Sequence, residues 1–177
     1  QLADFAKDGV DLAIRYGGGT YTDVVVKKLL QESVIPVCSP EFLATHGPLR
    51  SADNLVGLTL LHDDSPDNDP SCPTWEMWLR AASMPQIDAT RGPRFNQSSL
   101  VIEAAVLGRG VALAKTALAA QDLRSRRLVQ PLPSSMTVDF AYYIVAPRAK
   151  LNLPKVSHFI AWLESQVVPD EQQLEVA

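Results

Sequence analysis

The stretch from Arg91 to Ala114, RGPRFNQSSLVIEAAVLGRGVALA, constrains this chain more than any other. It predicts a short strand, a polar corner, a helix and a second short strand. Asn96, Gln97, Ser98 and Ser99 sit where strand gives way to helix, and such residues are favoured at N-caps because they satisfy orphan backbone N–H groups. From Leu100 to Leu107, the residues Val101, Ala104, Ala105 and Gly108 recur at helical spacing and form an apolar face. Gly108 and Gly110 end the helix, since glycine accepts the left-handed C-cap geometry. Val111 to Ala114 is then an apolar run of strand length. Free N–H groups at a helix N-terminus beside polar side chains make a place for a small anion or carboxylate. The same residues also read as plain caps. A capping box needs Glu or Gln three residues after the cap, and Glu103 stands four after Ser99.

The chain has 177 residues, 46% hydrophobic and 20% charged, which suits a globular protein of one domain or two small lobes. It opens on Gln1 in what reads as a helix, so we expect a part of a longer protein. No apolar run approaches membrane-spanning length. The net charge of −4 and the lack of a basic stripe argue against nucleic-acid binding by this segment alone. Arg124, Arg126 and Arg127 read as a solvated helix C-terminus. Cys38 and Cys72 fit no metal or redox spacing and suggest buried thiols in a reducing compartment.

Taken in order, Gln1 to Lys7 reads as the last turns of a helix, and Val10 to Tyr16 as a strand stopped by Gly17-Gly18-Gly19. The triple glycine lacks dinucleotide-site spacing and reads as a flexible turn or a pocket rim. Thr22–Leu30 and Glu32–Cys38 are two β-rich runs, with Pro36 marking an edge or a bend. Ser39-Pro40 opens a helix through His46, a helical turn covers Ala52 to Leu55, and Leu58–His62 is a strand. Asp63 to Pro73 is an acidic loop. It fails the calcium-loop pattern, with Pro70 where glycine is required, and Asp63 and Asp64 read as solvated. Thr74–Ala82 is an amphipathic helix with Trp75, Trp78, Leu79 and Ala82 on one face. Thr116–Arg124 is helical, Leu128-Val129 a short strand, and Pro131 and Pro133 a linker. Val138–Ala146 is a strand with Tyr142 and Tyr143 on opposite faces. Pro154–Val168 closes as a helix with Val156, Phe159, Ile160 and Leu163 inward, before an acidic tail. Strands alternating with helices predict an α/β architecture.

The chain carries no GxSxG elbow, HExxH, P-loop or CxxC, and His46, His62 and His158 share no ligand spacing. We therefore expect no enzyme, no cofactor and no metal.

Three segments together resemble a known family: Asp4–Gly17 (DFAKDGVDLAIRYG), Val37–Leu43 (VCSPEFL) and Phe95–Ala114. Their order and spacing are similar to those of the effector-binding domain of LysR-type transcriptional regulators, in the subgroup of the glycine-cleavage activator and the β-lactamase regulator. The likeness runs from about Leu2 to Val168. It implies a two-lobed, periplasmic-binding-protein-like fold, each lobe a mixed sheet flanked by helices. Lobe I is expected over 1–35 plus 136–168, lobe II over 36–135, and a tail over 169–177. The resemblance further implies a small polar effector in the interlobe cleft, with Asn96, Gln97, Ser98, Ser99, Tyr142, Tyr16 and Gly17 as its contacts. In these roles Asn96 and Ser98 hydrogen-bond the effector, Ser98 and Ser99 donate N–H groups, and Tyr142 offers its phenol. The resemblance also implies a cytoplasmic homodimer or tetramer that reaches operator DNA only through an N-terminal winged helix-turn-helix, which this sequence does not contain. The opening strand–helix–strand of lobe I is likewise not in it. A transport solute-binding protein shares the lobed fold and is the competing expectation.

Overall fold

The computed structural model describes Phe5 and residues 7–64 and 73–167. Alternating strands and helices place the chain in the mixed α/β class, as its patterning predicts. Two compact units are discernible: unit 1 comprises Gln1–Gln31 with Asp139–Ala177, and unit 2 comprises Glu32–Val138.

Unit 1 is built on β1 (Ala13–Gly17), the first half of β2 (Val25–Val37) and most of β6 (Met136–Ala146). β1 pairs antiparallel with β6, with Ala13 opposite Val145 and Gly17 opposite Ala141. Gly17 thus ends inside the strand rather than stopping it, because a glycine costs the ladder no hydrogen bond. Ala141, Tyr143 and Val145 form one apolar face, and Phe5, Ala13, Tyr21, Val24 and Val26 pack against it. Helix α5 (Pro154–Gln166) buries Val156. Phe159 does not face inward as its spacing suggests. It stacks on Trp162 at 5.5 Å, and the two rings are 43% and 54% exposed. Val156, Ile160 and Leu163 form the i, i+4, i+7 stripe, and Phe159 falls on its flank.

Unit 2 carries the second half of β2, β5 (Val111–Lys115), β3 (Leu60–Asp63) and β4 (Arg94–Phe95), adjacent in that order. β2 and β5 are antiparallel, whereas β3 runs parallel to both β5 and β4. The two β-rich runs of the sequence are therefore one continuous 13-residue strand. Pro36 lies within that strand, opposite Leu113 of β5. Alternate residues of an antiparallel pair point their N–H away from the partner, so a proline is accommodated there.

Helix α1 (Pro40–His46) starts as its sequence predicts, with Ser39 Oγ accepting from Phe42 N at 3.1 Å. Helix α2 (Trp75–Ala81) is capped by Thr74 and buries Trp75, Trp78 and Leu79. Trp75 Nε1 donates to Leu61 O at 2.9 Å, which satisfies its one buried polar atom. The core of unit 2 joins Ile35, Val37, Leu61, Ala112 and Ala114 to helix α3 (Ser98–Val106) through Val101, Ile102, Ala104 and Ala105. Ala119 of α4 (Thr116–Arg124) completes it. Leu128-Val129 contributes only a single bridge, Cys38 opposite Val129. The expected helix over Gln1–Lys7, most of the acidic loop, Cys72 and the acidic tail fall largely outside the described residues.

Candidate functional site

The parallel strands β3 and β5 end side by side, and each delivers a charged residue at its last position, Asp63 and Lys115. Helix α3 begins beside them. Its N-cap is Gln97, extended at φ −143°, which makes no side-chain capping bond. The first turn is instead held by the Gln97 carbonyl, which accepts from Leu100 N and Val101 N. The far end of α3 closes by a Schellman motif. Gly108 N bonds Ala105 O and Arg109 N bonds Ala104 O, both at 3.0 Å, with Gly108 at φ +69°.

Ser98 does not spend its hydroxyl on capping. Its Oγ donates to Asp63 Oδ2 at 2.5 Å and accepts from Lys115 Nζ at 3.4 Å. Lys115 Nζ and Asp63 Oδ2 are 3.9 Å apart, with side chains 11% and 15% exposed. A half-desolvated ion pair bridged by a hydroxyl forms the floor of the corner. Asp63, expected to be solvated, is thereby corrected: its strand carries it to Ser98, whereas Asp64 lies on the surface and pairs with Arg94 at 3.0 Å. Asn96, Gln97 and Ser99 are exposed around this floor, and Ser98 is half-buried. Asp63 and Lys115 escaped the sequence reading. The available signal was positional, since each is the first charged residue after a buried apolar run, at the carboxyl end of a strand.

A cavity of about 430 Å³ opens beside Asp63 in unit 2, with Asp64, Thr74, Glu76, Asp88 and Arg94 in its wall. Hydrogen bonds from the Thr90 hydroxyl and backbone hold the Asp88 carboxyl below its ordinary range. Among the described residues no group of three or more His, Cys, Asp or Glu side chains is placed to hold a metal ion.

The remaining predicted residues belong to unit 1. Tyr16 and Tyr142 are directly opposite in the β1–β6 register, with ring centroids 5.0 Å apart, and Phe140 meets Tyr16 edge-on at 5.3 Å. Tyr143 turns to the other face and packs on Tyr21 at 6.3 Å, as strand alternation requires. The glycines after β1 have a local reason. A Cβ at Gly17 would stand 2.7 Å from the Tyr21 hydroxyl. Gly19 has φ +83°, and a Cβ there would come within 2.6 Å of the Tyr143 ring.

Two further buried groups lie in unit 2: Glu32, which was not foreseen, and Cys38, which was expected as a buried thiol. Glu32 is fully buried, and its Oε1 accepts from Thr116 Oγ1 at 2.5 Å, Ser33 N at 2.9 Å and Ala117 N at 3.4 Å, placing a carboxylate at the start of α4. Cys38 is also fully buried, and desolvation pushes its thiol up to about 11. Among the basic residues after α4, Arg127 pairs with Glu103 and Asp122 at 3.2 and 3.0 Å.

The family model described as "LysR substrate binding domain" matches residues 1–167. The chain is 33% identical over 170 residues to the glycine cleavage system transcriptional activator of Escherichia coli K12, covering 96% of this chain and 54% of that protein. It is 30% identical to the HTH-type transcriptional activator AmpR of Pseudomonas aeruginosa, over 90% of this chain and 51% of that one. The chain thus spans about half the length of the curated relatives it matches. Among solved structures, the effector domain of P. aeruginosa AmpR is similar with a TM-score of 0.73 and 30% identity, covering 93% of this chain and 75% of that one. The AmpR effector binding domain of Citrobacter freundii gives 0.72 and 26%, covering 93% and 78%. With the family model spanning nearly the whole chain and the fold shared with effector domains, the chain belongs to the LysR substrate binding domain family.

Proposed function

We propose that this chain is the effector-sensing part of a LysR-type transcriptional regulator, without catalytic activity, and that its effector is a small polar molecule. The observation that carries this reading is the Asp63–Ser98–Lys115 corner at paired strand ends, in a chain whose family model covers residues 1–167. Asn96, Gln97, Ser98 and Ser99 are the proposed effector contacts of unit 2. Tyr16, Gly17 and Tyr142 are the proposed contacts of unit 1. The lobe boundaries proposed are 1–35 with 136–168, and 36–135. Self-association to a dimer or tetramer, operator binding through an N-terminal DNA-binding domain and a cytoplasmic location complete the proposal. That the relatives are transcriptional regulators favours this reading over a transport solute-binding protein. The described residues include no helix long and apolar enough to cross a membrane.

Binding of the intact regulator to DNA upstream of its own gene, followed by fluorescence anisotropy across a salt series, tests the proposal. Tight, sequence-dependent binding is expected, because base contacts persist where phosphate contacts are screened. Binding no stronger than to random DNA at every salt concentration refutes it and favours the solute-binding reading.

A further inference from the structure

We propose that Glu32 is a positioning residue of the effector corner. It caps helix α4 from a neighbouring strand, and so lets Lys115 stand at the helix N-terminus with its ammonium turned to Ser98 and Asp63. The inference rests on the reading of that corner as the effector site.

Lys115 is both the last residue of β5 and the N-cap of α4. Lysine suits a cap poorly. An N-cap side chain ordinarily accepts a hydrogen bond from a first-turn N–H, and negative charge is favoured at that end of a helix. Lysine has only donors to offer and carries a positive charge, so it fails on both counts. Helix α4 makes no side-chain capping bond of its own, and its first turn holds no acidic residue. The Lys115 ammonium points elsewhere, 3.4 Å from Ser98 Oγ and 3.9 Å from Asp63 Oδ2.

Glu32 supplies both missing functions from β2. Its Oε1 accepts from Thr116 Oγ1 at 2.5 Å and from Ala117 N at 3.4 Å, and these are the first two residues of α4. Ser33 N, at 2.9 Å, ties the same oxygen to its own strand. The register explains the reach. Val34 pairs with Lys115, so Glu32, two residues earlier on an antiparallel strand, extends past the end of β5 to where α4 begins. Two carboxylates therefore flank this lysine, Asp63 beside its ammonium and the buried Glu32 beside the backbone that follows it. The β-ladder fixes Lys115 on the strand side. Glu32 fixes the helix side, and with it the angle at which the chain leaves the strand and the direction of the lysine side chain.

The test reads the position of Lys115 directly. The intact regulator is treated briefly with acetic anhydride, and acetylation of each lysine is followed by mass spectrometry. Exposed Lys155 calibrates the reagent, and half-buried Lys150, paired with Asp11 in unit 1, reports general loosening. In Thr116→Val, acetylation of Lys115 relative to Lys155 is expected to rise about ten-fold, the loss of one hydrogen bond to a charged acceptor, with Lys150 unchanged. Thr116→Ser keeps the hydroxyl and is expected to restore the parent value, and Glu32→Gln to raise it again. If Glu32→Gln does not fold, the two Thr116 variants still decide. Unchanged labelling of Lys115 in Thr116→Val overturns the proposal. An equal rise at Lys150, or no rescue by Thr116→Ser, overturns it too, since either shows loosening that does not pass through this hydroxyl. No effector takes part in the labelling, so its outcome is separate from the role of the corner in sensing, which the response of Ser98→Ala decides.

Discussion

At the corner of unit 2, Asp63, Ser98 and Lys115 hold one another through a 2.5 Å hydrogen bond, a 3.4 Å hydrogen bond and a 3.9 Å ion pair. In unit 1, Tyr16 and Tyr142 hold each other by ring contact at 5.0 Å, on strands whose register sets them opposite. The corner is specified by directional charge. Its geometry depends on every partner, because an unpaired charge in a half-buried site is costly. The aromatic pair is specified by area and register, which survive the loss of a single polar atom. One region is sensitive to chemistry and the other to shape.

Removing one charge from the corner is the strongest way to expose that difference. Lys115→Met is expected to destabilise the protein by about 3 kcal/mol in urea unfolding, since it strands Asp63, while adding Asp63→Asn restores most of the loss. A double variant no more stable than the single one contradicts this coupling. Glu32→Gln comes next, at about 2 kcal/mol, because the buried carboxylate accepts from both Thr116 and Ser33. Equal stability of that variant and the parent shows that the start of α4 does not depend on the charge.

Cys38 supplies a pH test confined to unit 2. Burial places its folded-state pKa at about 11, above the ordinary 9.0, so its contribution to stability is intact below pH 9 and is lost as pH rises toward 11. The slope from this one group approaches about 1.4 kcal/mol per pH unit in that window, and Cys38→Ala is expected to remove it. Identical slopes in the two proteins contradict the burial argument. Tyr142→Phe is the smallest change. It keeps the ring contact with Tyr16, so stability should move by less than about 0.5 kcal/mol. A larger loss shows that the phenol is structural.

The same contrast explains what the sequence made legible. Periodicity reports local geometry, so helix α4 over Thr116–Arg124, the Ser39 cap and the opposite faces of Tyr142 and Tyr143 were all readable. Glycine chemistry marked the end of α3 at Gly108. The corner was readable only in part. Asn96 to Ser99 stand out because polar residues cluster before a helix, but Asp63 and Lys115 lie 35 and 17 residues from Ser98, and only the parallel pairing of β3 and β5 brings them to it. Glu32 was missed for the same reason, with Thr116 84 residues away. Phe159 misled because a 3.6-residue period does not separate a buried stripe from its flank.

The most direct test of the effector corner is the response of the intact regulator carrying Ser98→Ala. A reporter placed downstream of its operator is screened against amino acids and short peptides until the unsubstituted regulator responds, and the variant is then compared at the same protein level. The account predicts a variant that folds and binds its operator but no longer responds. A response equal to that of the unsubstituted regulator, at the same effector concentration, contradicts it.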